Sequence, residues 1–451
     1  MEQNTYLEIA SDAATGSKVY FNRHDHSHFV AGPSQRHHLA TVKKIEKELL
    51  AARTRSLTSL ELLALHRRIR AMLGNPGTGL ALYPKPAHDK SGFNPVLDRN
   101  QFDFGELRRT TLRNQPNIVV KVAAAGICQS DRRVMRGTKP ANFSMEQLVL
   151  GHEGGGYILD PGHCSDLYQV GQKVVLLPHL TCSKASCPSC STFRPNLCKN
   201  LRHMGFHING NMATLMAFPE QCVMAVPDSL PEDLLPLVEP LACVTRGLFH
   251  AREALSALNS RHAYYNNPFT IYGCGPIGCL AAMACRHFFG NINIQIIDPS
   301  EERIRSAQHL QIANSYASAP AIGHEVAFIA NSFFASIEAA LSKTNDEGTI
   351  VLFSGINTDQ FETADREQLA KITAFEDIHR QEAVKSIEVG GRRIHLVGSS
   401  GYTYYDIRRA IGLLLGNQDL FPRVQNAIIE GLDGKTIQFH SPNPRKVDIG
   451  T

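Results

Sequence analysis

The sequence predicts an α/β fold class in which a parallel β-sheet forms the larger core. After position 268, short β-branched and apolar runs alternate with longer runs of helical character, the pattern of parallel strands joined by helices. A glycine-rich turn links the first such strand to the first such helix. The chain of 451 residues, 43% hydrophobic and 20% charged, is long enough for two or three folded domains.

The glycine-rich turn has the spacing G-x-G-x-x-G. Gly273 permits the tight turn, Gly275 lets a pyrophosphate approach the backbone at the helix N-terminus, and Gly278 allows the helix to pack closely on the strand. These features predict a Rossmann-type dinucleotide-binding sheet. Its predicted strands and first helix are 269–272, 279–289 (helix), 292–297, 348–353 and 393–397.

The choice of cofactor follows from the residue that ends the second strand of this sheet. Asp298 lies 20 positions after the last glycine and can accept hydrogen bonds from the adenosine ribose hydroxyls. Its charge would repel a 2′-phosphate, so NAD is favoured over NADP. Arg303 and Arg305 are nearby cations that we expect inside the next helix. The candidate cofactor-binding residues are Gly273, Gly275, Pro276, Ile277, Gly278, Asp298 and Arg303.

Four cysteines fall within 17 residues, with the spacing C-x4-C-x2-C-x7-C. They are Cys182, Cys187, Cys190 and Cys198. Four thiolates suit tetrahedral zinc, at about 2.3 Å per bond. Pro188 and Pro195 favour a knuckled loop over a helix or strand. Because four protein ligands leave no position for a substrate, we predict a structural zinc site in a lobe at 180–200.

A second set of metal-binding residue types is dispersed along the chain. Cys128 follows a predicted strand at 118–122, His152 and Glu153 follow a second apolar stretch, and Glu239 comes much later. Three protein ligands plus a water is the arrangement of a catalytic zinc, whose open position receives a substrate oxygen. Ser130, two residues after Cys128, is placed to pass the alcohol proton towards solvent.

Taken in order, these elements resemble the zinc-dependent medium-chain dehydrogenase/reductase family, the alcohol and polyol dehydrogenases. The resemblance covers about 93–451. It rests on the motifs at 126–131, 151–153, 182–198, 239–241 and 273–278, on Asp298 and on 397–403. It implies a catalytic domain of GroES-like β-barrel type that is split in sequence around the Rossmann domain. The implied boundaries are 93–245 and 401–451 for the catalytic domain and 246–400 for the Rossmann domain.

The resemblance also assigns roles by position. Cys128 and His152 correspond to ligands of the catalytic zinc, and Ser130 to the proton-relay hydroxyl. Glu153 corresponds to the residue that either binds zinc directly or stands just behind it. Alcohol dehydrogenases use a cysteine as third ligand, whereas Glu239 stands in a Glu-Pro-Leu motif typical of the polyol, threonine and sugar-phosphate branch. Which of the two glutamates binds the metal stays open.

Three departures from the family pattern stand out. The first two lobe cysteines are separated by four residues where the family usually has two. The stretch 312–330 is short for a third strand-and-helix unit, and 328–332 lacks the glycine usual after the fourth strand, which leaves the nicotinamide contacts unassigned. A head of about 92 residues precedes the family region.

The head, residues 1–92, is basic and rich in histidine. It holds 13 Lys and Arg against 8 Asp and Glu and seven of the 20 histidines, whereas the other 359 residues are close to neutral. Apolar spacing predicts helices at 39–53 and 58–74, a helical extension that packs on the body or on another subunit. Residues 1–37 are expected to be a polar loop, although the alternation of His24, His26 and His28 would also suit a metal on one strand face.

Composition bounds compartment and partners. The N-terminus lacks a signal-peptide pattern, and the longest apolar run, 269–285, is broken by glycines and a proline. Eleven cysteines without such a signal favour reduced thiols. We therefore expect a cytoplasmic protein with no membrane and no nucleic-acid partner, which forms a homo-oligomer, a dimer or tetramer as in the family.

The predicted function is the reversible, NAD-linked conversion of a secondary alcohol to its ketone, on a polyol, cyclitol, sugar derivative or amino alcohol. One alternative is a sugar-phosphate dehydrogenase or reductase, for which Arg132, Arg133 and Arg136 are candidate phosphate ligands. The other is a non-catalytic NAD-binding scaffold, because a fold does not fix a function. The substrate and the direction of the reaction are not readable from the sequence.

Overall fold

A computed structural model describes most of the chain after residue 116 and several short strands elsewhere. The described ranges are 6–12, 17–22, 28–31, 80–84, 102–106, 117–135, 148–213, 215–257, 268–320, 323–357, 360, 364–417, 428–430, 436–437 and 447–448. The two predicted helices of the head, together with His24, His26 and Arg136, lie outside these ranges.

The strands are β1 (Tyr6–Asp12), β2 (Ser17–Asn22), β3 (His28–Ala31), β4 (Leu80–Pro84), β5 (Phe102–Glu106), β6 (Asn117–Gly126), β7 (Glu153–Asp160), β8 (Lys173–Leu176), β9 (His179–Leu180), β10 (Arg202–His203), β11 (Leu215–Pro219), β12 (Val223–Ala225), β13 (Phe269–Tyr272), β14 (Ile294–Ile297), β15 (Ser315–Ala317), β16 (His324–Ile329), β17 (Thr344–Leu352), β18 (Val384–Val389), β19 (Arg392–Gly398), β20 (Ile428–Glu430), β21 (Thr436–Ile437) and β22 (Val447–Asp448). The α-helices are α1 (Gln129–Met135), α2 (Pro188–Ser191), α3 (Val238–Ala257), α4 (Pro276–Phe289), α5 (Glu301–Leu310), α6 (Phe334–Lys343), α7 (Arg366–Gln381) and α8 (Tyr404–Gly416).

The head contains β-structure where we expected a polar loop. Strands β1, β2 and β3 form an antiparallel sheet. The expectation of a loop is therefore wrong for these strands, since the β-branched and aromatic residues of β1 and β2 favour extended backbone. Strand β4 pairs with β5, which lies beyond the predicted end of the head at residue 92.

The first large sheet is antiparallel and has the strand order β11-β6-β7-β8-β12, with β20 also paired to β6. Its strands bury a shared apolar core that includes Ile118, Val120, Ile158 and Val174. Gly156 in β7 is required by packing, because a Cβ there would lie 1.9 Å from the carbonyl oxygen of Lys121. The pairing of β20 with β6 returns the chain to this sheet near its C-terminal end.

The second large sheet has seven strands in the order β15-β14-β13-β16-β17-β19-β18 and is parallel except for β18. Helices α3, α4 and α8 cover one face, and α6 and α7 cover the other. Successive side chains of β13 point to opposite faces of the sheet: Ile271 packs with the residues of α3, α4 and α8, and Tyr272 packs with those of α6 and α7. The strand order reverses between β13 and β16, and the carboxyl ends of the strands at such a point are where ligands bind.

Three details refine the sequence-based boundaries. Helix α3 runs unbroken from 238 to 257, across the predicted domain boundary at 245/246. Only strand β15 lies between α5 and β16 within the described residues, as the shortness of 312–330 indicated. The lobe contains two short helical turns where a loop was expected, α2 and a 3-10 turn at Pro195–Leu197, and each begins with a proline. No helix in the described ranges is long and apolar enough to cross a membrane.

Candidate active site

The register of β6 and β7 brings the first candidate ligands together. Gly126, the last residue of β6, pairs with Glu153, the first residue of β7. Cys128 therefore leaves the sheet beside the point where His152 enters it. The ligand atoms of Cys128, His152 and Glu153 all lie within 4.8 Å of one another. This close approach joins residues that were predicted as one site from separate motifs.

Asp131 fixes the orientation of this group. Its Oδ2 accepts a hydrogen bond of 2.9 Å from the Cys128 amide, and its Oδ1 accepts one of 3.3 Å from the Gly151 amide. The same Oδ1 lies 3.2 Å from His152 Nδ1, which leaves Nε2 as the ring nitrogen free to bind a metal. The Asp131 side chain is fully buried.

The site is buried and holds several acidic donors. His152, Glu153 and Glu239 are 3%, 2% and 6% exposed. Burial, and then the charge of Glu153, raises the pKa of the Cys128 thiol. Burial also raises the pKa of Glu239 to about 7. A thiol, an imidazole and carboxylates buried together fit a divalent zinc ion, whose charge would offset the cost of ionising them.

Glu239 lies at the edge of this site. It is in the first turn of α3 and interacts electrostatically with His152 and Glu153, but it is not in the group of three whose atoms lie within 4.8 Å. The Cys243 thiol, one helical turn later, donates a hydrogen bond of 3.5 Å to Glu239 Oε1. Sequence reasoning did not single out Cys243, and its spacing of four from Glu239 was the available signal.

The Ser130 hydroxyl donates a hydrogen bond of 3.1 Å to Cys128 Sγ. Ser130 is in the first turn of α1, the helix that follows Cys128. The hydroxyl predicted as a proton relay is therefore in direct contact with a predicted metal ligand.

Two further histidines border the site and were missed by sequence reasoning. The ring centroid of His203 lies 5.2 Å from that of His152, and the His179 ring lies 5.3 Å from the His203 ring. His179 stacks on Tyr402 at 4.3 Å with nearly parallel planes. Burial, and then the charge of His152, lowers the pKa of His179 to about 3. Its position three residues before Cys182 gave no pattern by which a lone histidine could be recognised.

The four lobe cysteines form a second, separate cluster. Their sulfurs lie within 4.8 Å of one another, with Sγ–Sγ distances of 3.8 Å for Cys182–Cys190, 3.9 Å for Cys187–Cys198 and 3.6 Å for Cys182–Cys198. A tetrahedral zinc with Zn–S bonds of about 2.3 Å separates its sulfurs by about 3.8 Å. All eleven cysteines are free thiols. The spacing of the sulfurs therefore fits zinc rather than a disulfide.

The glycine-rich turn has the geometry that its sequence predicts. Gly273 has φ +115°, a conformation that favours glycine, and a Cβ at Gly278 would lie 1.9 Å from the Gly273 carbonyl oxygen. A Cβ at Gly275 would meet no atom within 4 Å, so the backbone faces open space there. Pro276 begins α4, followed by Ile277. The turn leaves room for a pyrophosphate at the N-terminus of α4.

Asp298 directly follows β14, and its carboxylate has several hydrogen-bond partners. It accepts hydrogen bonds of 2.8 Å from the Cys274 and Ser300 amides, and Arg303 Nη2 lies 2.7 Å from its Oδ1. Arg303 is in α5, as expected, but its guanidinium reaches back to the carboxylate and is 43% exposed. Arg305 pairs instead with Glu301. A cation thus lies beside the residue that was expected to repel a 2′-phosphate.

Comparison with known sequences shows what this combination of elements is similar to. Residues 114–228 match the alcohol dehydrogenase GroES-like domain family. Over 201 residues the chain is 34% identical to a zinc-type alcohol dehydrogenase-like protein of Haemophilus influenzae, which covers 44% of this chain and 54% of that protein. Over 194 residues it is 29% identical to L-threonine 3-dehydrogenase of Xanthomonas axonopodis pv. citri, 43% of this chain and 53% of the relative. The matches span about half the length of these relatives.

Solved structures extend the likeness of the fold. Galactitol-1-phosphate dehydrogenase of Escherichia coli superposes with a TM-score of 0.57 at 18% identity, over 76% of this chain and 90% of that one. The RspB alcohol dehydrogenase of E. coli CFT073, solved with NADH, gives 0.55 at 19% identity, over 76% and 89%. A protein assigned as a zinc-binding dehydrogenase from Sinorhizobium meliloti 1021, bound to NADP, gives 0.55 at 20% identity, over 75% and 89%.

The fold and the site therefore define the class, a GroES-like domain joined to a Rossmann-type sheet. The GroES-like domain match and the superpositions confirm the predicted fold class, and the chain is similar to the zinc-type alcohol and polyol dehydrogenases, as the predicted resemblance stated. The helical extension predicted for the head lies outside the described residues and stays a prediction.

Proposed function

We propose that this protein is a zinc-dependent, nicotinamide-linked oxidoreductase that interconverts a secondary alcohol and its ketone. The observation that supports this proposal is the convergence of Cys128, His152 and Glu153 within 4.8 Å, beside helix α3, which carries Glu239 in its first turn and packs on the parallel sheet. A metal held by these residues would keep an open coordination position, and the carboxyl ends of parallel strands are where dinucleotides bind in this fold.

The residues of the site fit zinc, and we propose Cys128, His152 and one or both of Glu153 and Glu239 as its ligands. A zinc ion held there would act as a Lewis acid on the substrate oxygen. Asp131 holds His152 in one orientation through Nδ1. Ser130, which contacts Cys128 Sγ, is placed to accept the carbinol proton and pass it towards solvent. The low exposure of the site keeps competing water away.

We propose NAD as the preferred cofactor, held by Gly273, Gly275, Pro276, Ile277 and Gly278 and by Asp298. The Asp298 carboxylate lies directly after β14, where the adenosine ribose binds in this fold. Arg303 beside it weakens the repulsion of a 2′-phosphate. We therefore expect a preference for NAD that is smaller than an isolated aspartate would produce.

We propose an unphosphorylated polyol, cyclitol, sugar derivative or amino alcohol as the substrate class. For the sugar-phosphate alternative, Arg133 is the one of the three candidate arginines whose side chain is described, and its Nη1 donates a hydrogen bond of 3.4 Å to Asn357 Oδ1. That contact links α1 to the segment that follows β17, so the Arg133 guanidinium has a protein partner in place of a phosphate.

The test is a screen of secondary alcohols and ketones, plain and phosphorylated, followed by nicotinamide absorbance with NAD(H) and NADP(H). We expect turnover with plain alcohols and a higher kcat/KM with NAD than with NADP. A higher kcat/KM for phosphorylated substrates would support the sugar-phosphate alternative. Protein that holds two zinc ions per chain and binds NADH but turns over no substrate would support the scaffold alternative.

A further inference from the structure

The four-cysteine lobe docks against the cofactor-binding sheet through two polar residues that lie between its third and fourth cysteines. Arg194 Nη2 donates a hydrogen bond of 3.1 Å to Glu382 Oε2. Asn196 Nδ2 donates one of 2.8 Å to the carbonyl oxygen of Ser400. A metal in the lobe would fix the turn from which both side chains extend, because Cys190 and Cys198 enclose it.

The Glu382 carboxylate links the lobe to helix α3 through hydrogen bonds to both. It follows the last residue of α7 with φ +50°, and its side chain is fully buried. Arg246, two turns after Glu239 on α3, donates hydrogen bonds of 2.9 Å from Nε to Oε1 and 2.6 Å from Nη2 to Oε2. The same carboxylate thus holds one arginine from the lobe and one from the helix that carries Glu239.

The pKa of Glu382 reflects its contacts with the two arginines. Burial alone would raise the pKa of Glu382, but the hydrogen bonds and charge of Arg246, with a hydrogen bond from Arg194, lower it to about 2. The carboxylate is therefore ionised at every working pH. Arg246 also lies 3.7 Å from Asp406 in α8, so the network reaches the segment beyond β19 as well.

The loop 399–403 is held by the same contacts. It leaves the carboxyl end of β19, and the Ser399 amide donates to the Leu352 carbonyl at the end of β17. The Ser400 amide donates to Glu382 Oε1 at 3.3 Å. At Gly401, with φ +62°, a Cβ would lie 2.8 Å from His179 Cε1, so strand β9 at the entrance to the lobe presses directly on this loop.

These contacts all meet at the edge of the sheet where the cofactor binds. Strands β17 and β19 are parallel, so their carboxyl ends lie at the same edge as the glycine-rich turn. Nothing in the sequence of the lobe indicates a part in cofactor binding, since its cysteines are explained by a structural metal.

We infer that Glu382 is a positioning residue that couples the metal-folded lobe to the active site, by fixing loop 399–403 at the cofactor edge and helix α3 with Glu239. The inference rests on the proposed function for its effect on cofactor binding. It makes the lobe metal a determinant of cofactor affinity in addition to its part in stability.

The test removes the two contacts that Arg194 and Asn196 make with Glu382 and Ser400, and it changes no candidate metal ligand. Arg194 is 44% exposed, so the Arg194→Ala chain is expected to fold, and Arg194→Ala/Asn196→Ala removes both contacts. Arg194→Lys restores a cation, and Arg202→Ala is the matched control, because Arg202 is an exposed arginine of β10 outside the four-cysteine segment. Each purified holoprotein is measured by NADH titration and by amide hydrogen exchange.

We expect the double variant to raise the Kd for NADH by about 3- to 10-fold, the combined effect of a half-exposed ion pair and a buried hydrogen bond. Amide exchange should become faster at 399–406 and 239–247. Arg194→Lys should recover part of the loss, and Arg202→Ala should match the wild type in both measurements.

An unchanged Kd, or equal losses in the double variant and Arg202→Ala, would overturn the inference. If the wild type binds no NADH, the proposed function fails, and exchange alone then decides the coupling. Unchanged exchange at 399–406 and 239–247 in the double variant would in that case overturn it, and faster exchange would uphold it.

Discussion

The two clusters of candidate metal ligands differ in how much of the fold each one needs. The lobe cluster takes all four sulfurs from one 17-residue segment, so a local loop is enough to assemble it. The buried cluster joins residues just after β6 to the start of β7, with Glu239 at the start of α3 on its edge, and these segments are far apart in sequence. A local site can serve to fold its own loop, whereas a site assembled by the whole fold can be positioned against a cofactor.

The donor atoms differ in the same sense. In the lobe all four donors are sulfur: the Lys184 backbone amide lowers the pKa of the Cys182 thiol to about 6, whereas burial raises the pKa of the Cys190 thiol to about 12. In the buried cluster, burial raises the pKa of Cys128 and brings that of Glu239 to about 7. Four sulfurs would close the coordination of a zinc ion, whereas the mixed set of the buried cluster would leave room for a substrate oxygen.

The largest expected effect comes from Cys128→Ser. The change removes one ligand of the buried cluster, so we expect turnover to fall by at least about 1,000-fold. Metal analysis should show one zinc fewer per chain, with the lobe zinc retained. Alcohol oxidation by nicotinamide absorbance and zinc by atomic emission measure the two results. Unchanged activity would remove Cys128 from the ligand set.

Cys190→Ser should have the opposite effect to Cys128→Ser: stability should fall, and turnover should be retained. The lobe loses a ligand, so one zinc is lost and the free energy of unfolding falls by about 3–5 kcal/mol. The melting temperature drops accordingly, measured by calorimetry. At a temperature where the variant is folded, and with the cofactor at saturating concentration, kcat should stay within about threefold of the wild type. A loss of kcat as large as that of Cys128→Ser would erase the distinction between the clusters.

The lobe and the glycine-rich turn could be predicted because each is specified by short spacing. Four cysteines in one segment and three glycines in six residues each have a geometric reason that no distant residue alters. The structure reproduces both arrangements, with Sγ–Sγ distances near 3.8 Å and a positive φ at Gly273.

What could not be predicted depends on contacts between residues far apart in sequence. The Arg246–Glu382 pair spans 136 positions, and no local pattern marks either residue. The stacking of His179 on Tyr402 is of the same kind. Arg303 shows the converse, because its place inside α5 was expected but its reach back to Asp298 depends on a side-chain conformation. Helix α3 likewise crosses a boundary that the family pattern set at 245/246.

Ser130→Ala tests whether the buried cluster needs more than its metal. The hydroxyl contacts Cys128 Sγ but is not a predicted ligand, so zinc content should stay unchanged. We expect kcat to fall by about 100-fold, the usual size of a lost proton relay. Ser130→Thr, which keeps the hydroxyl, should recover most of the rate. A loss of zinc in Ser130→Ala would show that the hydroxyl supports the metal instead.

The smallest effect concerns His179, which lies where the lobe meets the buried cluster. Its pKa in the folded chain is about 3 against an ordinary value of 6.5, so below pH 6.5 the unfolded chain binds a proton that the folded chain does not. Stability therefore falls as the pH drops, by about 1.4 kcal/mol at pH 5.5 from this group. His179→Phe, which keeps a ring against Tyr402, should remove that share of the pH dependence in urea unfolding at pH 7.5 and 5.5. His309→Gln is the control, because His309 is exposed. An equal pH dependence in the wild type and in His179→Phe would mean that His179 is protonated in the folded chain, and therefore that water reaches its ring.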